Sequence, residues 1–300
     1  MGARQLPSRR FIALISMAVM ALAGCGSDAA APEEAVPTPD PGEAIYSLAI
    51  DPADGTLLAA TGPGFYRLPG DTGKPERLTA QLSSPQGNGP VKDLVVRFTG
   101  GRTLIGSGHA AEPPMPTNVG LVRSTDQGKT WQVVSGQGEA DYHEIEVVGE
   151  RIFGLRTDGA GLVQVSTDGG RTFETRQAPT GSTPVDIAVN PADPTHWAMS
   201  NDSGTFISTN EGRSWRQRST TPRPRLVWPA PDALYGVGLD GTVRHSPDGG
   251  RTWQEKGSLG AGPKELIAAP DGGLYAVTTG GQIHRSGDGG ATWSKVAQVS

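Results

Sequence analysis

A single cysteine, Cys25, stands in the 300-residue chain, which excludes a disulfide scaffold and any zinc site built from several thiolates. No apolar run is long enough to span a bilayer as a helix, the longest being the short stretch 11–22. Lysine and arginine never gather into a basic run, and 26 basic against 31 acidic residues give a formal charge of −5. That balance excludes nucleic acid and anionic lipid surfaces as expected partners, because both demand a concentrated excess of cations. Phosphate-cradling loops, dinucleotide fingerprints and the two-histidine metalloprotease helix are also missing. What the chain has in quantity is backbone punctuation: 43 Gly and 25 Pro leave little room for long helices. The apolar share of 35% becomes ordinary for a folded protein once glycine is added.

The short apolar run has a meaning of its own. Arg4, Arg9 and Arg10 precede it and Leu22-Ala23-Gly24-Cys25 ends it, the charged, apolar and small order of a secretory signal. Leu22 to Cys25 resembles the lipobox of bacterial lipoproteins, in which the cysteine is acylated and becomes the first mature residue. The resemblance implies a signal peptide over 1–24, a lipid at Cys25 and an exported protein held at the outer face of a bacterial membrane. Residues 26–42, rich in Pro, Ala and Glu, hold too little apolar surface to order themselves. Residues 25–43 therefore read as a lipidated, disordered tether.

The rest of the chain repeats. Ser124, Asp126, Gly128, Thr130 and Trp131 recur as Ser166, Asp168, Gly170, Thr172 and Phe173, then as Ser208, Asn210, Gly212, Ser214 and Trp215. Two more copies carry Ser246, Asp248, Gly250, Thr252 and Trp253, and Ser286, Asp288, Gly290, Thr292 and Trp293. The acidic or amide position advances by 42, 42, 38 and 40 residues, and a worn copy lies at 70–73. A period near 40 with four short β-rich runs per unit, in the last unit 266–269, 273–278, 282–285 and 292–296, describes a propeller blade. We therefore expect one all-β, six-bladed propeller over 44–300, each blade contiguous in sequence, with the motif closing a hairpin. A monomer is expected.

These octapeptides resemble the BNR or Asp-box repeat of sialidase-like propellers. The box is scaffold by its chemistry: a short acid and a hydroxyl bond the turn's own amides, glycine takes the positive φ, and the aromatic packs beneath. Segments 62–66, 107–109 and 138–143 also look like those of exported bacterial Asp-box propellers labelled glycosyl hydrolases, although Tyr46 and Ser47 stand where that group leads us to expect His and Gly. Tyr66-Arg67-Leu68-Pro69 looks like a sialidase Arg-Ile-Pro signature, yet in repeat register Arg67 falls on a third strand rather than an inner one.

Functional residues are expected on the face opposite the boxes, where the longest loops run over 81–90, 109–118 and 135–142. The densest polar cluster is there: Glu139, Asp141, Tyr142, His143 and Glu144, joined by His109 and Glu112 from a neighbouring loop. Carboxylates with a tyrosine and histidines could serve glycoside cleavage as acid, base and nucleophile. Aligned inner strands place Ser47, Asp93, Glu144, Asp186, Arg225 and Glu265 in a ring around the channel. Its acids must find hydrogen bonds to neighbouring strands, counter-ions in Arg225 and Lys92, or a calcium or magnesium ion; no cofactor is required. Two functions stay open: a surface module binding a glycan or protein ligand, and a sialidase-like glycoside hydrolase.

Overall fold

The computed structural model describes residues 45–62, 64–68, 75–156, 161–180 and 183–299. The leader, Cys25, the tether and the worn motif at 70–73 lie outside the described residues. Among those described there are 25 strands and no helix. Five antiparallel sheets of four strands follow one another in chain order, and a sixth unit of five strands closes on itself. This is a β-propeller arrangement. The first sheet runs from Ile45–Ile50 to Glu76–Leu78 and the last from Glu265–Ala268 to Ser294–Gln298, each contiguous in sequence as expected.

In the last sheet the strands are Glu265–Ala268, Leu274–Val277, Gln282–Ser286 and Ser294–Gln298. The outer one starts later than its sequence suggests because Thr292 still belongs to the turn, its amide bonding Asp288 at 2.9 Å. A larger departure concerns residues 81–90, expected as a loop. Gln81–Ser84 is a strand, antiparallel to the start of the long strand Gly87–Phe98 and parallel to Thr130–Ser135. Leu82 is driven there by burial, lying beside Trp131 in the parallel register.

Hydrophobic burial sits between the sheets. Each of the core clusters joins neighbouring sheets, such as Phe153 and Val163 with Ile187 and Trp197. The joint between chain ends is of the same kind, with Ile45, Leu48 and Tyr66 packed on Ile267, Val277, Ile283 and Val299. The boxes serve these joints. In the second repeat Asp168 Oδ1 accepts from the Thr172 amide at 3.0 Å, Thr172 Oγ1 donates to Oδ2 at 2.7 Å, and Ser166 Oγ accepts from the Gly170 amide at 2.8 Å. Gly170 has φ +88°, and a Cβ there would strike Leu121 of the preceding sheet at 2.1 Å, so the position demands glycine on two counts. Trp131 is fully buried, whereas Phe173, Trp215, Trp253 and Trp293 are half-buried.

Candidate functional site

Inner strands converge on the channel, so side chains at their first positions must meet there. Ser47, Glu144, Asp186, Arg225 and Glu265 do so. Asp93 does not. Ser47 Oγ accepts from the Val96 amide at 3.1 Å, as Asp186 Oδ2 accepts from the Leu226 amide at 2.9 Å; since Leu226 follows Arg225, the residue before Val96 holds the equivalent place. That residue is Val95. A bulge between Lys92 and Val95, with Asp93 at φ +53°, displaces the register and turns Asp93 toward the rim.

The charge partner at this level is Arg97, two residues beyond Val95 and so on the same strand face. Its Nη2 lies 2.6 Å from Glu144 Oε1 and 2.9 Å from Glu265 Oε1, while Arg225 Nη1 lies 3.3 Å from Glu144 Oε2 and 3.9 Å from Asp186 Oδ2. Lys92, expected as a counter-ion, is exposed. Glu146, two residues past Glu144, joins the ring although solvent still touches it. Burial raises Glu265 to about 7 and Glu146 to about 8, and it pushes Asp186 well above the usual carboxylate range, helped by Glu144. Burial alone would lower Arg97, yet Glu265 and Glu144 hold it above its ordinary value. Among the described residues no three His, Cys, Asp or Glu side chains come together as a metal-ligand set.

Above the ring opens a pocket of about 480 Å³. His109 stands between two carboxylates, with Nδ1 3.7 Å from Asp93 Oδ2 and Nε2 3.7 Å from Asp141 Oδ1. His143 Nε2 is hydrogen-bonded to Asp141 Oδ2 at 3.0 Å. Asp141 Oδ1 is shielded from solvent and makes no hydrogen bond among the described residues, its charged neighbour being His109 Nε2. Arg223, Arg225 and the half-exposed ring of Tyr46 also line it. Gly108 lets the strands approach at the bulge: a Cβ there would meet the carbonyl oxygens of Lys92 and Asp93 at 2.7 and 2.8 Å.

The remaining cluster residues divide between the pocket wall, the channel and the surface. Glu139 is exposed and outside the pocket lining, its carbonyl accepting from Arg156 at 3.0 Å and its amide donating to Gly136 at 3.0 Å. Glu144 points down the channel. Tyr142 forms part of the pocket wall while packing into the core, its hydroxyl donating to Gln164 and its ring 5.6 Å from Phe173. Glu112 is exposed and does not line the pocket. Arg67 lies on a third strand, 3.9 Å from Glu76. Sequence reasoning missed Arg97, Glu146, Arg223 and the placing of Tyr46. The two-residue strand period could have found the first two, whereas Arg223 reaches the pocket from an irregular segment with φ +47°.

Residues 122–133 match the BNR/Asp-box repeat. The chain carries that repeat. A sialidase from Micromonospora viridifaciens is 29% identical over 264 residues, 84% of this chain, and the chain spans 34% of that sialidase's length. The chain also resembles solved structures in fold. YCF48 bound to D1 peptide superposes with a TM-score of 0.55 at 16% identity, covering 81% of this chain and 77% of that one. An ancestral GH74 enzyme gives 0.54 at 16% identity, covering 87% and 40%.

Proposed function

We propose that this protein is a six-bladed, lipid-anchored, exported propeller that binds a carbohydrate in the pocket at the channel mouth. The closed five-stranded unit counts as the second blade. The propeller begins near residue 44, after a signal peptide over 1–24 and a tether from Cys25 to 43, and the protein works as a monomer on the outer face of a bacterial membrane. The observation that carries the reading is the open pocket of about 480 Å³ with Asp93, His109, Asp141, His143, Arg223 and Arg225 around it. That volume suits one or two sugar rings. The partly exposed carboxylate of Asp93 and the exposed imidazole of His143 would bond sugar hydroxyls, and Tyr46 offers an aromatic edge for a ring face.

Hydrolysis is the second reading, favoured by the 29% identity to a sialidase and by two pocket carboxylates, Asp93 and Asp141. Tyr142, engaged with Gln164, gives no nucleophile to that chemistry. A glycan panel that includes sialosides, run for binding and for turnover on the purified protein, tests both. Binding without turnover, weakened at least tenfold by Asp141→Asn and His109→Ala in variants that still fold, is the expected result. Turnover lost in Asp141→Asn would establish the hydrolase, and absence of any glycan binding would overturn both readings. The anchor is tested by mass: the mature N-terminus should carry a diacylglycerol at Cys25, and Cys25→Ser should release the protein from the membrane fraction.

A further inference from the structure

Two grooves on the box-bearing side are repeat equivalents, and their charges differ. The first, about 260 Å³, is lined by Arg151, Glu174, Arg176, Glu211 and Arg213 among others. Its charges are paired: Arg176 with Glu174 at 2.6 Å, and both Arg151 and Arg213 with Glu211 at 3.0 Å. The second, about 310 Å³, is one repeat further on. The 42-residue step puts Arg216 and Arg218 in the places of Glu174 and Arg176. The next step, of 38, puts Gly249 and Arg251 in the places of Glu211 and Arg213. Both glutamates have vanished, and no carboxylate lines the groove.

The guanidinium groups of its three arginines make no ion pair or hydrogen bond among the described residues. Arg251 is telling. Arg171 and Arg213, at the same place in their boxes, fold back onto the carbonyl of Asp168 or Asn210 at 3.0 and 3.2 Å, whereas the Arg251 guanidinium makes no such bond. Asp248, the neighbouring box carboxylate, is committed to its own turn through Thr252, at 2.8 Å to the amide and 2.7 Å to the hydroxyl. His196 replaces Arg151 in strand register, each preceding the residue paired with the box serine. Burial lowers its pKa, so it adds no charge at neutral pH.

We propose that this groove binds the sulfate or carboxylate groups of an acidic polysaccharide. Three unpaired guanidinium groups supply planar donor forks for oxyanions. Thr209 and Ser214 line the same groove, and Ser214 Oγ accepts from Asn210 Nδ2 at 2.9 Å, leaving its own proton for a sugar oxygen. The formal charge of −5 on the whole chain works against dense polyanions such as nucleic acid, while a saccharide with spaced charges can place them locally.

The test is calorimetric titration of the full purified protein, at low salt, with a heparin-derived sulfated hexasaccharide, an oligogalacturonate and a single-stranded oligonucleotide of matched charge. Binding of either saccharide above the oligonucleotide is expected, and the better one identifies the oxyanion. Arg216→Glu installs the residue that the sister groove already tolerates, so it should fold with an unchanged melting temperature and bind at least tenfold more weakly. Glu174→Arg should bind no more weakly than the parent. No saccharide binding at 1 mM, equal binding of the oligonucleotide, or an unaltered affinity in Arg216→Glu would each overturn the proposal.

Discussion

At the scale of single residues the channel ring carries the sharpest consequence. Arg97 is the shared partner of Glu144 and Glu265, and removing one member of a buried ion cluster leaves uncompensated charge. Arg97→Met should therefore cost about 3–5 kcal/mol, read as a lower urea midpoint, and Glu265→Gln added to it should recover part of the loss. Trp131, fully buried, should cost about 3–5 kcal/mol when truncated to alanine. Half-buried Trp215 should cost less in the same urea series, since less apolar surface is lost. Four ring acids and bases, Glu144, Asp186, Arg225 and Glu265, were legible because the inner strands align without gaps. Asp93 was misread because a bulge leaves no mark in composition. Arg97 and Glu146 lie two residues past the equivalent first positions, Val95 and Glu144, on the same face of their strands, since alternate residues of a strand share a face.

At the scale of elements, the box hairpins were readable in nearly every detail because each residue type answers a local hydrogen bond. The strand Gln81–Ser84 was not, since Leu82 is its one apolar residue and its partner, Thr130–Ser135, lies far along the chain. Such non-local pairing has no local period to betray it. The bulged inner strand and its neighbour act as one element through Gly108. Gly108→Ala must push the carbonyls of Lys92 and Asp93 outward, since they would lie at 2.7 and 2.8 Å from the new methyl. Overpacking of this kind costs about 1–3 kcal/mol. Melting should register that loss, and glycan binding should weaken in the same variant because Asp93 and His109 move with the bulge.

At the scale of the whole molecule, charge and closure decide the behaviour. Glu265 and Glu146 hold protons up to about 7 and about 8 against an ordinary 4.5, so the folded state binds more protons than the unfolded chain across that window. Stability should fall as pH rises from about 4.5 through 8. The box acids act in the opposite sense: Asp248 and Asp288, lowered to about 2 by their Thr252 and Thr292 bonds, favour the fold above their ordinary 3.8 and lose that contribution as pH falls toward 2. A melting series from pH 3 to 9 should peak between about 4 and 5, and Glu146→Gln should flatten its alkaline side. Closure rests on packing at the joint: Ile45 and Leu48 from the first sheet lie in one cluster with Ile283 and Val299 from the last, and among the described residues no strand is lent across it. The position of the chain's break is then arbitrary. Joining residue 299 to residue 45 through a short Gly-Ser link and opening the chain between two later sheets, near residue 181, should yield a circular permutant with the same fold and ligand preference, so that any of the inter-sheet joints could have served as the protein's beginning.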